Sequence, residues 1–348
     1  MFRFSCRGLK VLAVLSVTAL WFVYSLQQKS LENSRNAREN IKHDIKSSPK
    51  TNKENTTWDV LIPLVNLDQH PKIVRDFHVC LSSICEHSSI AITLHVVTDN
   101  RSQGQADRVI GELKKELCKD KVHVQYHDIG FVARELEPLM EVFKDLFTSN
   151  PKSYFSGALF FLSIISHTLF PHISKLIILD ADLKFRTDIR KLWNKFEDFS
   201  PSNVIGIAHE LQPVYKHTMY RYRSAHPNTK IGAPLPHGKP GFNSGVLLMH
   251  LQRIRNSSLY KEYLSDPTRI RQLSEKYFFK GHLGDQCFYT LLSFEHPELL
   301  YVLPCTWNRQ LCTWWKDKGY ERVFHLYHNC EGYVNVYHGN CGTAIPDG

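Results

Sequence analysis

Along this chain, short apolar runs alternate with segments whose apolar residues recur every three or four positions. Asp59-Val-Leu-Ile-Pro-Leu-Val65 is almost continuously apolar and predicts a first strand, buried on both faces. His70 to Cys85 predicts a helix, because Ile73, Phe77, Cys80 and Leu81 can share one face. Ile90 to Thr98 predicts a second strand, alternating at Ile92, Leu94 and Val96, and Gly104 to Cys118 an amphipathic helix. A third strand is expected over Val122 to His127, helices over Arg134 to Phe147 and Ser156 to His167, and a fourth strand over Lys175-Leu-Ile-Ile-Leu179. Such alternation predicts an α/β fold: a Rossmann-like mixed, mostly parallel sheet flanked by helices.

Beyond residue 182 the pattern changes. Val204 to Ala208 predicts another strand, and Gln212 to Gly241 is a long stretch with several Pro, Gly and basic residues. A connection of that length is usually functional or disordered. Phe242 to His250 returns to strand character, and helices are expected from Arg253 to about Phe279. The half before Asp182 reads as nucleotide-binding scaffold, the half after it as acceptor and closure elements. No internal repeat is visible.

The N-terminus carries targeting information. Arg3, Arg7 and Lys10 precede an uncharged apolar stretch from Val11 to Leu26, followed directly by polar sequence. This predicts a cytosolic tail over 1–10, a signal-anchor transmembrane helix over 11–26, a flexible stem over 27–57 and a lumenal catalytic domain over 58–348. A cleaved secretory signal with a cut near Ala19 is the alternative. Asn55-Thr-Thr, Asn100-Arg-Ser and Asn256-Ser-Ser are glycosylation sequons, usable in a secretory lumen. The expected residence is a membrane of the secretory pathway, the endoplasmic reticulum with the Golgi as the alternative, between which these residues themselves do not choose. The formal charge of +9 reflects an ordinary basic surface, and no nucleic-acid-binding signature accompanies it.

Of the nine cysteines, Cys305, Cys312, Cys330 and Cys341 cluster near the C-terminus. Zinc is one reading, but no tight Cys-x-x-Cys pair is present, and two disulfides suit a lumen better. The spacing does not give the pairing. Cys80, Cys85, Cys118 and Cys287 read as buried apolar residues with room for one further bridge.

Candidate chemistry concentrates at segment ends. Asp180 and Asp182 follow a buried strand, where open α/β sheets place ligands, and two carboxylates there suit a divalent cation that holds a diphosphate. Phe242-Asn-Ser-Gly245 places small residues before a strand, allowing close approach of a sugar with Asn243 and Ser244 as hydrogen-bond partners, or simply a turn. His282-Leu-Gly-Asp-Gln286 opens a helix. Its side chains could face a sugar, or Asp285 could cap the helix. His338, before Gly339 and close to Cys341, is the expected third metal ligand, with His325 and His328 as competitors. Trp314 and Trp315 offer aromatic surface for stacking on sugars or for core packing.

The order of Leu179-Asp-Ala-Asp182, Phe242-Asn-Ser-Gly245, His282-Leu-Gly-Asp-Gln286 and His338-Gly339 resembles the retaining GT-A glycosyltransferases of the glycogenin and lipopolysaccharide glucosyltransferase family, over about Asp59 to Gly348. Longer blocks, from Gly206 to Tyr215, Cys305 to Trp315 and Tyr337 to Cys341, resemble its xylosyltransferase branch. Those are lumenal enzymes that add an α-1,3-linked xylose to the xylosyl-glucose O-glycan of Notch-type EGF-like repeats. The resemblance implies Mn²⁺, with Mg²⁺ as a substitute, on Asp180, Asp182 and His338, and UDP-xylose as donor. It implies a sugar site at His282, Leu283, Gly284, Asp285 and Gln286, with Asn340 on the donor and Leu64 and Asn66 on uridine. It also implies disulfides Cys305–Cys330 and Cys312–Cys341. Front-face transfer supported by Gln286 is expected, against a covalent intermediate on Asp285. The expected partners are EGF-like repeats, the membrane through the N-terminal segment, and a second copy of the chain in a homodimer, with no nucleic acid. The alternatives are a transferase of the same fold using UDP-glucose or UDP-galactose, and an inactive lectin-like binder of EGF repeats or glycans. Two departures stand out. Ala181 is smaller than the aliphatic residue expected between the acids, and Ser156 to His167 offers only His167 where a phosphate-contacting basic residue is expected.

Overall fold

The computed structural model describes residues 58–148 and 157–346. The expected tail, anchor and stem lie outside the described residues. No helix among the described residues is long and apolar enough to cross a membrane.

Seven strands form the main sheet, in the order β3-β2-β1-β4-β7-β6-β8. They are β1 (Trp58–Leu64), β2 (Ile92–Thr98), β3 (Val122–Asp128), β4 (Leu176–Leu179), β6 (Ile205–His209), β7 (Phe242–Met249) and β8 (Leu300–Leu303). All neighbours are parallel except β7, which runs antiparallel to both β4 and β6. A smaller sheet, β5 (Leu183–Phe185), β10 (Val336–His338) and β9 (Arg309–Gln310), stands beside it. Period-two alternation divides the core into two layers. Leu61, Val97, Ile178 and Leu247 face one, while Val60, Ile62, Val96, Ile177 and Leu248 face the other.

The helices begin where capping chemistry dictates. Helix α1 (Pro71–His87) starts on a proline and buries Phe77, Cys80, Leu81 and Ile84. Helix α2 (Asn100–Leu113) starts four residues before the expected Gly104, because Asp99 accepts the amides of Arg101 and Ser102. Helix α3 (Ile129–Phe147) likewise starts at its cap, Asp128, rather than at Arg134. Beyond α2, Lys114–Cys118 forms a π-helical turn, and Cys118 is bonded to Cys85. That is the further bridge the sequence left room for, while Cys80 and Cys287 are buried and free.

The expected helix over Ser156 to His167 is instead a 3₁₀ segment, Ala158–Ile165, followed by one α turn, Ser166–Leu169. Tertiary bonds override its local preference: Tyr260 Oη donates to the Ile164 carbonyl at 3.0 Å, and Ser163 reaches Asp285 and Tyr289. The long connection from Gln212 holds two short helical turns, Val214–Thr218 and Tyr220–Ala225. Helices Leu251–Asn256, Ser258–Ser265 and Pro267–Lys276 follow β7, and α4 (Asp285–Glu295) carries the sugar-side motif.

Candidate active site

Every residue of β4 is buried, and the strand ends by delivering Asp180, whose N–H donates to the Gly245 carbonyl at 3.0 Å. The chain turns through Ala181 and Asp182 into β5, which pairs antiparallel with β10 so that Leu183 faces His338. Gly339 N–H donates to the Asp182 carbonyl at 2.8 Å. This register brings a residue from the far end of the chain against the acid pair. His338 Nε2 lies 3.4 Å from Asp180 Oδ2 and 3.3 Å from Asp182 Oδ1. Ligand atoms of the three residues all fall within 4.8 Å of one another. Adjacent ligands on an octahedral ion at about 2.1 Å sit about 3 Å apart, so two carboxylates and one imidazole fit a divalent cation of Mn²⁺ or Mg²⁺ type. Neither His325 nor His328 joins the group among the described residues.

The electrostatics agree. Burial alone would lower the His338 pKa, but the Asp182 charge and hydrogen bonds to both acids push it up to about 10. Burial pushes Asp182 up, yet the His338 charge and hydrogen bond outweigh it and hold the carboxyl below its usual range; Lys72 contributes in the same direction. The corner is built to stabilise positive charge.

A buried chain of amides holds the imidazole from behind. His338 Nδ1 is 2.9 Å from Asn308 Oδ1. Asn308 Nδ2 donates to the Asn243 main-chain carbonyl at 3.3 Å and to Asn243 Oδ1 at 2.9 Å. Asn243 Oδ1 also accepts the Gly245 N–H at 3.1 Å. These main-chain contacts settle both amide orientations. Nδ1 of His338 therefore carries a proton, and Nε2 is the nitrogen offered to a metal.

Beside this corner opens a cavity of about 1210 Å³. Asn243, Ser244, His282, Leu283, Asp285, Gln286, Trp314 and Asn340 line it, as the sequence suggested. Asp285 does not cap α4, since Gly284 holds the cap position. Its carboxylate accepts Ser244 Oγ at 2.8 Å and the Ser163 hydroxyl, and burial, against those bonds, pushes it up to about 7. Asn340 also ties its own segment to the chain after β9: its Oδ1 accepts the amides of Leu311 and Cys312 at 3.1 and 2.9 Å.

Three of the expected positions lie away from the cavity lining. Leu64 is fully buried in the core, because strand alternation turns Pro63 and Val65 to the cavity instead. Asn66 lies outside the lining, with its N–H on Asp99 Oδ2 at 2.8 Å. Gly284 also lies outside it, where its φ of 65° and a β-carbon position 2.9 Å from Phe160 demand glycine. The implied bridges Cys305–Cys330 and Cys312–Cys341 are both present.

Sequence reasoning missed Glu210, Asn308, Ser163 and Tyr215. Glu210 is 2 % exposed and lines the cavity, and burial, opposed by hydrogen bonds from Asn243 and Gln286, pushes it up to about 7. The signal available was position: Glu210, Tyr215 and Asn308 fall within the long blocks that resembled a known branch. In the stretch lacking the expected basic residue, Leu159, Phe160, Leu162 and Ser163 face the cavity, whose Lys and Arg lining residues are Arg221 and Lys280.

An acid pair and imidazole at the end of a mostly parallel, helix-flanked sheet, beside a large cleft, give the arrangement of a GT-A-like glycosyltransferase with a candidate divalent-metal corner. The profile of Glycosyl transferase family 8 matches residues 32–329, and the chain belongs to that family of glycosyltransferases. It is 42 % identical over 295 residues to mouse xyloside xylosyltransferase 1, covering 83 % of this chain and 75 % of the relative. To the human xyloside xylosyltransferase 1 it is 46 % identical over 257 residues, covering 74 % of this chain and 65 % of that protein. The crystal structure of the mouse protein in its apo form superposes with a TM-score of 0.79, covering 84 % of this chain and all of the other. An LgtC structure, 14 % identical with a TM-score of 0.51, shares the fold.

Proposed function

We propose that this chain is a metal-dependent retaining xylosyltransferase that passes xylose from UDP-xylose, in α-1,3 linkage, to a xylosyl-glucose glycan on an EGF-like repeat of Notch type. The observation that carries this reading is the register that sets His338 against Asp180 and Asp182 at the head of the cavity. The similarity to xyloside xylosyltransferases supports the choice of sugar.

Asp180, Asp182 and His338 would hold Mn²⁺, or Mg²⁺ in its place. The ion supplies Lewis-acid stabilisation of the departing diphosphate. Asp285 and Gln286 steady the donor sugar from the protein side. Both Asp285 oxygens are tied to serine hydroxyls, which fixes its charge near the carbon where positive character develops. In front-face transfer the acceptor hydroxyl attacks on the leaving-group side and its proton passes to the leaving oxygen, so Asp285 serves as an electrostatic partner. Exposed Trp314, Tyr220 and Phe278 at the cavity offer stacking surface to the acceptor.

The topology belongs to the same proposal: residues 11–26 anchor the chain and 58–348 work in the lumen of the endoplasmic reticulum. Three disulfides suit that oxidising compartment.

The test is a donor panel. Purified protein is offered UDP-xylose, UDP-glucose and UDP-galactose with a xylosyl-glucosyl EGF repeat and Mn²⁺, and the product mass is recorded. A gain of one pentose from UDP-xylose alone is expected. A hexose gain assigns another donor, and binding without any transfer or donor hydrolysis makes the protein a lectin-like binder.

A further inference from the structure

Strand β6 slips register against β7 between Ile207 and Ala208, so that Ala208 pairs with Asn243 and His209 with Phe242. Just past that bulge stands Glu210, a carboxyl buried at 2 % exposure beside the sugar-side residues. Its own N–H donates to the Gly241 carbonyl at 3.0 Å, which fixes the backbone. Its side chain meets three N–H donors. Gln212 N–H lies 3.1 Å from Oε1, and Asn243 Nδ2 and Gln286 Nε2 lie 3.2 and 3.5 Å from Oε2. Here the carboxyl acts as an acceptor.

That fact orients Gln286. A side-chain amide can present either its oxygen or its nitrogen to a neighbour, and only contacts decide. Asn243 cannot turn, because Gly245 N–H and Asn308 Nδ2 both hold its Oδ1. Gln286 has no main-chain anchor of that kind among its side-chain bonds. Its Nε2 points to Glu210 and to Tyr215 Oη at 3.3 Å, and its Oε1 is 3.5 Å from Asn243 Nδ2. Tyr215 Oη donates toward Cys287 Sγ at 3.9 Å, leaving its lone pairs for Gln286.

We propose that Glu210 is a positioning residue for transfer: as a buried acceptor it captures the Gln286 amide nitrogen, which leaves the Gln286 carbonyl oxygen, shared with Asn243 Nδ2, as the group this side chain offers to a donor sugar in the cavity. The inference rests on the sugar-nucleotide reading of the site and deepens it. A carbonyl oxygen at that place stabilises the positive character of the sugar in the transition state, and an amide N–H₂ would oppose it. Glu210 itself touches no reacting atom.

The test is a double-mutant cycle with a donor-independent readout beside it. Glu210→Gln keeps the volume but offers one oxygen to three donors, so Gln286 keeps only its contacts with Asn243 Nδ2 and Tyr215 Oη and its orientation is loosened. The expected result is a kcat about 100-fold lower, with donor KM and metal Kd within about threefold of wild type. In a Gln286→Ala background the same change should cost less than about threefold, because Glu210 acts through Gln286. Glu210→Asp keeps an acceptor, shortened by one methylene, and should lose only about tenfold. In protein labelled at glutamine side-chain nitrogens, the Gln286 amide protons should be protected from exchange in wild type and lose that protection in Glu210→Gln. This last readout needs no donor, so it judges the inference even if the proposed sugar proves wrong. An equal loss in both backgrounds, wild-type kcat in Glu210→Gln, or unchanged amide protection would each overturn it. If Glu210→Gln does not fold, Glu210→Asp carries the cycle and the exchange measurement, with loss confined to the Gln286 background as the supporting result.

Discussion

A β-carbon on Gly245 would lie 2.3 Å from Cε1 of His338 and 2.7 Å from its Nδ1. The glycine is there for the imidazole. Its backbone also accepts the Asp180 N–H and donates to Asn243 Oδ1, so one residue touches three parts of the metal corner. Gly245→Ala should push the ring away from Asp180 and Asp182. Overpacking of this kind costs about 1–3 kcal/mol of stability, and a displaced ligand weakens metal binding by about 10–100-fold. Titration calorimetry with Mn²⁺ on folded variant checks the second figure; wild-type affinity would show that the ring has room to spare.

That contact also marks how far the sequence could be read. Asp180, Asp182 and His338 were legible because each sits in a patterned context: two acids ending a buried run, and a histidine before a glycine beside a cysteine. Gly245 was noticed, but close approach of a sugar was expected where the structure shows a ring. Its partner is 93 positions away in sequence, and only the β5–β10 register brings them together. Asn308 and Glu210 gave no signal beyond their place in the resembling blocks, because an acceptor for a buried donor has no spacing rule. Leu64 faces the core rather than the cleft for a simpler reason: alternation determines which neighbour in a strand faces the cleft, and a one-residue offset reverses it, while Asn66 lies past the end of β1 with a φ of 57°.

Metal binding should displace a proton. The His338 pKa is raised to about 10 by the acid pair, above the 6.5 of an unpaired histidine. The charged imidazole therefore stabilises the metal-free fold fully below the unfolded value, and that contribution fades as pH rises through the folded one. A metal needs the Nε2 lone pair, so below the folded value each ion bound must expel that proton. Apparent Mn²⁺ affinity should rise by up to about tenfold per pH unit across neutral pH. Calorimetry in buffers of different ionisation enthalpy should show about one proton released per ion. Binding heats independent of buffer would contradict the assignment of His338 as ligand.

Asp285 should trade stability for transfer. Burial raises it from 3.8 to about 7, so the unfolded chain ionises first as pH climbs. Its cost to the fold therefore grows between those two values and is complete above the upper one. Asp285→Asn removes the charge, and of the Ser163 and Ser244 hydroxyls, one still donates to the remaining oxygen while the other can rotate to accept the new N–H₂. The variant should melt a few degrees higher than wild type at alkaline pH, with the gap closing in acid. Its kcat should fall by about 100-fold or more. Melting curves across pH and single-turnover rates measure the two effects separately, and a variant less stable at alkaline pH would mean that Asp285 is a structural anchor.

Two of the three disulfides, which tie different parts of the chain, should separate stability from chemistry. Cys85–Cys118 closes a separation of 33 residues and ties the end of α1 to the turn after α2. Cys312–Cys341 closes 29 and ties the segment carrying Leu311 to the residues just after His338. Loop entropy gives the two bridges nearly the same worth, about 3–4 kcal/mol each. Their positions differ. Asn340 Oδ1 accepts the amides of Leu311 and Cys312, and Leu311 N–H donates to the His338 carbonyl at 3.0 Å, so the second bridge clamps the backbone that aims the imidazole. Replacing both cysteines of either pair by alanine should lower stability by similar amounts in chemical denaturation. Only loss of Cys312–Cys341 should also weaken Mn²⁺ binding, by about tenfold, measured well below the melting temperature of both variants. Equal metal affinity in the two variants would show that strand pairing between β5 and β10 aims His338 without help from the bridge.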